Sequence, residues 1–366
     1  MRYRFRHLTA CVAECVMKPN DVLHIVEFEK FIPPFIELTR TRLAADRHHF
    51  FFIHRGDLYQ PGEKSRIHRL SDYAAKPIGL AVLAKKMNLA GKIVLHGLTH
   101  FRLLVLLALQ PWLLKKTYWI IWGADLYAYQ KIGTSWQSRL KEMLRRFVIP
   151  RIGHLVTYVS GDVALARQWY GAKGQHHDCL CYASNVYHHL ELPTRNSGSN
   201  LQILVGNSAD RSNNHDGIFA ALLPHLETGL EIHAPLSYGD QQYADEVTKF
   251  GSAKFGSKFH ALREFMPYGD YLKLLSGIDI AVFNHERQQG MGNIISLLGL
   301  GKTVYMRKST TSWQSLTNLG LTVGNIEDFK PAPLSSELAE RNRQIIREQF
   351  SETKLVNQWR SILETH

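Results

Sequence analysis

The chain has 366 residues, too many for one ordinary core and about right for two α/β domains. Hydrophobic residues make up 45% and charged residues 21%, which excludes a disordered chain, and no apolar run reaches the roughly 18–20 residues of a bilayer crossing. The formal net charge is +12, unevenly spread: residues 1–195 hold 28 basic and 14 acidic side chains, a net of +14, and the remainder carries −2. That asymmetry points to a negatively charged partner facing the first half only.

At the start, Arg2, Arg4 and Arg6 precede LTACVAECV, which Glu14 breaks and no small-residue cleavage pattern follows. Residues 1–16 are read as an extension outside the fold, and 17–190 as the first domain. There DVLHIVEF, HHFFFIH, KIVLHG, TYWIIWG, HLVTYVS and CLCYAS are strands by composition and length. Between them FIPPFIELTRTRLA, SDYAAKPIGLAVLAKKM and THFRLLVLLAL are helical, and the apolar run Leu103–Leu114, interrupted by Pro111, reads as a buried helix. The alternation predicts a parallel sheet covered on both faces. Cys179 and Cys181 fall on one face of the last strand; the four cysteines make neither a disulfide framework nor a zinc spacing, so a reducing, cytoplasmic setting is expected. None of the 19 histidines sits at HExxH spacing, and no metal site is expected.

Residues 131–151, KIGTSWQSRLKEMLRRFVIPR, concentrate the basic charge in an amphipathic pattern. Trp136, Arg139, Lys141, Arg145 and Arg146 fit a helix lying on anionic lipid, and they fit equally a core-packed helix with a solvated basic face. No nucleic-acid-binding motif accompanies them, so nucleic acid is not expected as a partner. Pro193 and the polar run Arg195–Asn200 mark residues 191–200 as a linker.

The second domain, 201–366, restarts the rhythm: LQILVG, LEIHAPLSYG, DIAVFN and KTVYMR are strands. GIFAALLPHL, QQYADEVTKFG, Tyr268–Ser276, GNIISLLGLG and a tail from Ser335 are helical, with the last helix free to pack back on the first domain. Two doubly wound halves enclose a crevice, and ligands of such sheets bind at the carboxyl ends of strands.

Three strand ends carry the candidate chemistry. In NHERQQGMGN, Gly290 and Gly292 open a helix whose N–H groups favour a phosphate. Arg287 adds a charge suited to a diphosphate, Gln288 and Gln289 offer amides to sugar hydroxyls, and Glu286 can accept from a ribose or sugar; Asn293 completes the set. In VGNSADRSNNHDG, Gly206, Asn207 and Ser208 present donors to the same diphosphate, and Asn213 and Asn214 lie near the helix cap; Asn and Ser are also ordinary caps. In WIIWGADLY, Asp125 is a candidate general base or an N-terminal structural acceptor, with His96 and His100 of LHGLTH as further candidates for the base. Asp279 stands alone, so no Asp-x-Asp motif serves a metal-bound diphosphate, and a donor site of this kind works through cationic side chains and helix dipoles without a metal.

WGADLY (Trp122–Tyr127), ILVGNSADRSNNH (Ile203–His215) and RQQGMGN (Arg287–Asn293), in that order, resemble the bacterial TDP-4-acetamido-4,6-dideoxygalactose:lipid II transferases. These are the N-acetylfucosaminyl (Fuc4NAc) transferases of enterobacterial common antigen assembly, and the resemblance runs from about Val22 to the C-terminus. It implies a GT-B fold, two Rossmann-like domains facing a central crevice. It also implies a dTDP-sugar donor and an undecaprenyl-diphosphate-linked acceptor at the cytoplasmic face of the inner membrane, the partner for the +14 half. The expected function is therefore a metal-independent glycosyltransferase, peripheral on that membrane. The alternatives are a transferase using another dTDP- or UDP-sugar, a 2-epimerase-like enzyme of the same fold, or a non-catalytic adaptor on anionic surfaces.

Overall fold

The computed structural model describes residues 17–27, 29–53, 66–70, 76–131, 133–189 and 200–364. The expected extension at 1–16 and the linker residues 191–199 lie outside the described residues. The chain divides into two compact units, Met1–Ala183 with Leu355–His366, and Ser184–Lys354.

The first unit runs β1 (Val22–Val26), α1 (Ile32–Arg42), β2 (His48–Phe52), β3 (Ile67–Arg69), α2 (Lys76–Leu89), β4 (Lys92–His96), α3 (Phe101–Leu109) and β5 (Thr117–Ile120). It continues with α4 (Gly123–Leu126), α5 (Trp136–Val148), β6 (His154–Val156), α6 (Ser160–Tyr170) and β7 (Gln175–His177). All its strand pairs are parallel, in the order β3-β2-β1-β4-β5-β6-β7. Every residue of β1 is buried, as a central strand with both faces covered requires. Leu23, Ile25, Phe51, Ile93, Leu95 and Trp119 point to one face, where they pack with Leu83 and Met87 of α2 and Leu104 and Leu107 of α3. The alternate residues point to the other face, and there the pattern becomes polar.

On that second face His24, His48 and His96 are all buried. Trp122 Nε1 donates to the Tyr182 hydroxyl (3.1 Å), which lies 2.9 Å from His96 Nδ1. His96 Nε2 lies 3.0 Å from His24 Nδ1, and His24 Nε2 lies 2.9 Å from His48 Nδ1. One direction satisfies every atom: the tyrosine accepts from Trp122 and donates to His96, and each neutral imidazole then donates to the next. Phe35 of α1 and Phe50 of β2 close over the rings.

The structure departs from the sequence reading at several places; β3, β7, the helix Thr311–Asn318 and the strand Gly324–Asn325 are not among the expected elements. The expected strand at Cys179–Ser184 is absent, and the last strand is β7. Cys181 has φ 68 and its N–H donates to Cys179 Sγ (3.3 Å), a left-handed turn that no strand accommodates. Helix α6, ended by Gly171 at φ 69, is not among the expected elements. The run Leu103–Leu114 is a helix followed by a tight 3-10 turn from Pro111, and it buries Leu103, Leu104, Leu107, Leu113 and Leu114 while exposing Leu109 and Trp112.

The second unit contains β8 (Leu201–Val205), α7 (His215–Leu222), β9 (Leu230–Pro235), α8 (Gln241–Phe255), β10 (Phe259–Leu262), α9 (Tyr268–Gly277) and β11 (Ile280–Phe283). It ends with α10 (Met291–Gly299), β12 (Thr303–Met306), α11 (Thr311–Asn318), β13 (Gly324–Asn325) and α12 (Ser336–Gln349). Its parallel sheet has the order β10-β9-β8-β11-β12-β13. Residues 184–189 pack here rather than with the first unit: Tyr187 N–H donates to Phe350 O (2.8 Å) and its ring covers Gly299. Caps set the helix starts, Asp240 accepting from Gln242 N and Tyr243 N, and Ser335 from Leu338 N. The last helix, α13 (Glu352–Leu363), belongs mostly to the first unit. Trp359 Nε1 donates to Cys181 O (2.9 Å), and Lys92 Nζ caps the helix end at Ile362 O (2.9 Å) and Leu363 O (3.1 Å).

Burial lowers the pKa of His24 far below 6.5, of His48 to about 4 and of His96 to about 3. In the second unit it lowers His215 to about 4 and His285 to about 3. These rings stay neutral in the fold and protonate near 6.5 only when it opens. The stability this provides is complete above pH 6.5 and drains away as pH falls toward the folded values, each ring contributing up to about 1.4 kcal/mol per pH unit. The melting temperature is expected to fall by on the order of 10 °C between pH 7 and 5.5. A flat profile by calorimetry would show that the imidazoles are not held neutral.

Candidate functional site

Numbered by order in its own sheet, the second unit reads 3-2-1-4-5-6, and its order reverses between β8 and β11. The loops leaving those two strands part there and leave an opening at their carboxyl ends. The first loop begins at Gly206, whose φ of 67 suits glycine and whose absent Cβ would lie 2.8 Å from both Asn213 Oδ1 and His215 Nε2. The second ends at Gly290, φ 66, where a Cβ would press on His285 and Asn207. Gly290 is also the N-cap of α10, so the first N–H groups of that helix open at the end of β11.

Asn213 joins the two loops. Its Oδ1 accepts from Asn207 N (2.8 Å) and His285 Nε2 (3.0 Å), and its Nδ2 donates to Ser208 Oγ (3.1 Å) and Asp210 O (3.0 Å). All four hydrogen-bonding positions of this fully buried amide are used, so Asn213 positions the loops and does not touch a ligand. Ser208 is buried in the same way. Ser212 Oγ adds a second tie, donating to Gln289 Oε1 (2.6 Å). Gly292 answers to packing: a Cβ there would lie 2.5 Å from Ser184 O. Asn293 Nδ2 donates to Tyr271 OH (2.8 Å), and Asn214, at φ 49, is the N-cap of α7.

Other polar atoms lack protein partners. Asn207 Oδ1, His215 Nε2 and Gln288 Oε1 are buried without a hydrogen bond, a pattern that marks a place for a ligand's polar groups or water. Arg287 is half-buried beside them, its Nη1 donating to Gln288 O (3.3 Å), and Glu286 is exposed. Two residues extend the site beyond the sequence reading. Arg307, directly after β12, donates through Nε (3.1 Å) and Nη2 (2.8 Å) to Asn284 Oδ1, which aims a second guanidinium at the strand ends. Tyr238, in the loop after β9, accepts from Asn207 Nδ2 (3.0 Å) and leaves its ring exposed. The signal for both was position alone, each standing at the carboxyl end of a strand.

In the first unit two of the proposed bases prove structural. Asp125 is buried, with Oδ2 accepting from Leu98 N (2.8 Å) and Trp119 Nε1 (2.7 Å), and Oδ1 from Trp122 N (2.9 Å) and Leu126 N (2.8 Å). Burial pushes its pKa up to about 6 against the pull of those donors. The carboxylate fastens α4 to β5 and to the loop after β4, with every oxygen engaged. His96 lies inside the histidine chain, both nitrogens engaged.

Helix α5 divides its apolar residues: Val148 is buried and Leu144 packs on the core of the first unit, while three others face out. Trp136, Met143 and Phe147, in phase along the helix, are 70%, 58% and 37% exposed. Arg139 and Arg146 flank that stripe, while Glu142 and Arg145 are buried on the inner side. Glu142 receives Arg146 Nε (3.1 Å) and Tyr170 OH (3.3 Å), with Arg145 Nη1 at 3.8 Å. Arg145 is therefore a buried partner of Glu142 and not a surface contact, and Lys141 is half-buried.

Among the described residues no helix is long and apolar enough to cross a membrane, and no group of three or more His, Cys, Asp or Glu could hold a metal ion. Residues 34–366 match a family described as 4-alpha-L-fucosyltransferase glycosyl transferase group 56. Among solved structures the chain is similar to HepE of Anabaena in complex with UDP and glucose, at 13% identity and a TM-score of 0.64, covering 94% of this chain and 99% of that one. A glycosyltransferase from Rickettsia africae matches at 12% identity and a TM-score of 0.61, over 94% and 97%. WaaG, a glycosyltransferase involved in lipopolysaccharide biosynthesis, matches at 14% identity and a TM-score of 0.56, over 94% and 95%. These likenesses establish the GT-B fold.

An amide at position 125 can accept only through its oxygen and would turn an NH2 group on two N–H donors. Asp125→Asn is expected to destabilise the protein by about 2–3 kcal/mol, a melting shift of several degrees, while turnover per folded molecule changes little. Lost turnover at an unchanged melting temperature would return Asp125 to the role of base.

Proposed function

The chain belongs to glycosyl transferase group 56, the 4-alpha-L-fucosyltransferase family, and on that premise we propose that it moves an amino-deoxy sugar of the Fuc4NAc type from a dTDP-sugar to an undecaprenyl-diphosphate-linked saccharide. The observation that carries the reading is the switch point of the second unit. Two guanidiniums, an open helix start and unpartnered amide and imidazole atoms meet there at the ends of β8, β11 and β12. Arg287, Arg307 and the N–H groups of α10 suit the two phosphates, and they stabilise the charge that grows as the nucleoside diphosphate leaves. Asn207 and Gln288 suit sugar hydroxyls, and the exposed Tyr238 ring suits a stacked base or sugar face. Its donor set is amide, imidazole and guanidinium, so the reading includes no divalent metal, and transfer is expected to survive EDTA. HepE in complex with UDP and glucose supports a nucleotide-sugar site in this fold.

Helix α5 supports a lipid-linked acceptor, reached from the cytoplasmic face of the inner membrane. An exposed Trp-Met-Phe stripe between two arginines is suited to shallow insertion among anionic headgroups, with each arginine adding about 1 kcal/mol near such a surface.

Purified protein supplied with dTDP- and UDP-sugars, with and without a lipid-linked acceptor, tests the reading directly. Donor consumed equally well without acceptor would favour a 2-epimerase-like reaction. Arg287→Ala is expected to weaken dTDP binding about thirtyfold by calorimetry, near 2 kcal/mol, at an unchanged melting temperature; full affinity in the variant would remove Arg287 from the site. Replacing Arg139 and Arg146 with Gln is expected to release the protein from anionic liposomes at low salt and leave dTDP affinity intact. Wild-type protein that ignores such liposomes in sedimentation would end the membrane reading.

A further inference from the structure

The first unit has a switch point of its own. Its order runs 3-2-1-4-5-6-7, reversing between β1 and β4, and the residues leaving those strands meet there. Glu27 directly follows β1, and Thr99 lies three residues beyond the end of β4. Thr99 Oγ1 donates to Glu27 Oε1. Among the described residues no other hydrogen bond to that carboxylate is found, and Glu27 is half-buried, neither sealed in the core nor freely solvated. The charged groups that act on it are Glu29, on its own loop, and Lys141, the half-buried lysine of α5.

Of the other candidates near these strand ends, Asp125 and His96 are sealed and fully bonded, and His100 is the half-buried N-cap of α3. Glu27 is therefore the carboxylate that the fold presents where a doubly wound sheet binds its ligand. We propose that Glu27 is the catalytic base of the transfer, a step that rests on the transferase reading above. Thr99 holds Oε1, and Oε2 accepts the proton of the acceptor hydroxyl. As that proton leaves, the hydroxyl oxygen bonds to the anomeric carbon of the donor sugar, and the bond from that carbon to the phosphate oxygen breaks. The nucleoside diphosphate departs with its electron pair. The proposed attack comes from the face opposite the leaving group and inverts the anomeric configuration. Thr99 is a positioning residue.

Glu27→Gln is expected to lower kcat at least about a hundredfold, with dTDP affinity and melting temperature unchanged. It is also expected to abolish the acidic limb of the kcat–pH profile, which a purely structural role would leave in place. Glu29→Gln, beside it, keeps kcat within about threefold, and Thr99→Val falls between the two. Should Glu27→Gln not fold, Glu27→Asp keeps the charge one methylene short and is expected to retain the acidic limb at reduced kcat. Wild-type turnover or an unaltered acidic limb in Glu27→Gln overturns the assignment, and so does a product whose NMR couplings show retained anomeric configuration. Wild-type protein that binds dTDP and yet transfers no sugar to any acceptor overturns the transferase reading, and the role of Glu27 with it.

Discussion

The second unit is organised around one buried amide. Asn213 uses both lone pairs and both N–H groups to tie the loop after β8 to the loop after β11, and it does so at the place where the sheet order reverses. A parallel sheet of order 3-2-1-4-5-6 sends the connections after strands 1 and 4 in opposite directions, so nothing in the sheet itself holds those loops together. A fully satisfied polar network does that with more geometric precision than apolar contact, because each bond has a direction. With Asn213 fixed, Gly206 and Gly290 must be glycines. Asn207 Oδ1 and Gln288 Oε1 are then left buried with bonding capacity unused.

The first unit meets the same topological problem with different chemistry. Its face beneath α1 carries a chain of three neutral imidazoles running from Trp122 and Tyr182 across β4, β1 and β2. Such a chain is stable only when all its members are neutral and point one way, so it ties the fold of this half to pH. It also confines His96 to structure.

The sequence made the alternation of strands and helices legible because parallel strands are short apolar runs and the helices between them are amphipathic. The motif loops were legible because glycine, asparagine and arginine at strand ends have few purely structural uses. The misplaced readings share a cause. WGADL reads identically whether Asp125 faces a substrate or caps α4, and only the four N–H donors, one of them from Leu98 far along the chain, decide. CLCYAS has strand composition, and the φ of Cys181 is invisible to composition. The histidine chain needs the register of three strands before it exists at all. Glu27 escaped notice because its significance lies in the sheet order, and a lone glutamate after a strand carries no motif.

Helix α5 shows most plainly how tertiary contacts override a helical pattern. Read alone, its apolar residues should turn inward and its charges outward. The phase chosen follows that pattern only in part: Val148 and Leu144 turn to the core, but a charged pair turns in with them, where Tyr170 of α6 donates to Glu142 and the guanidinium of Arg145 completes the pair. Once Glu142 and Arg145 are buried together, exposing either would break a paired charge, which outweighs the modest gain from burying Met143 or Phe147. The helix is thus locked with Trp136, Met143 and Phe147 toward the outside, an arrangement that folding alone would not favour. The buried ion pair and the outward stripe are two sides of one choice.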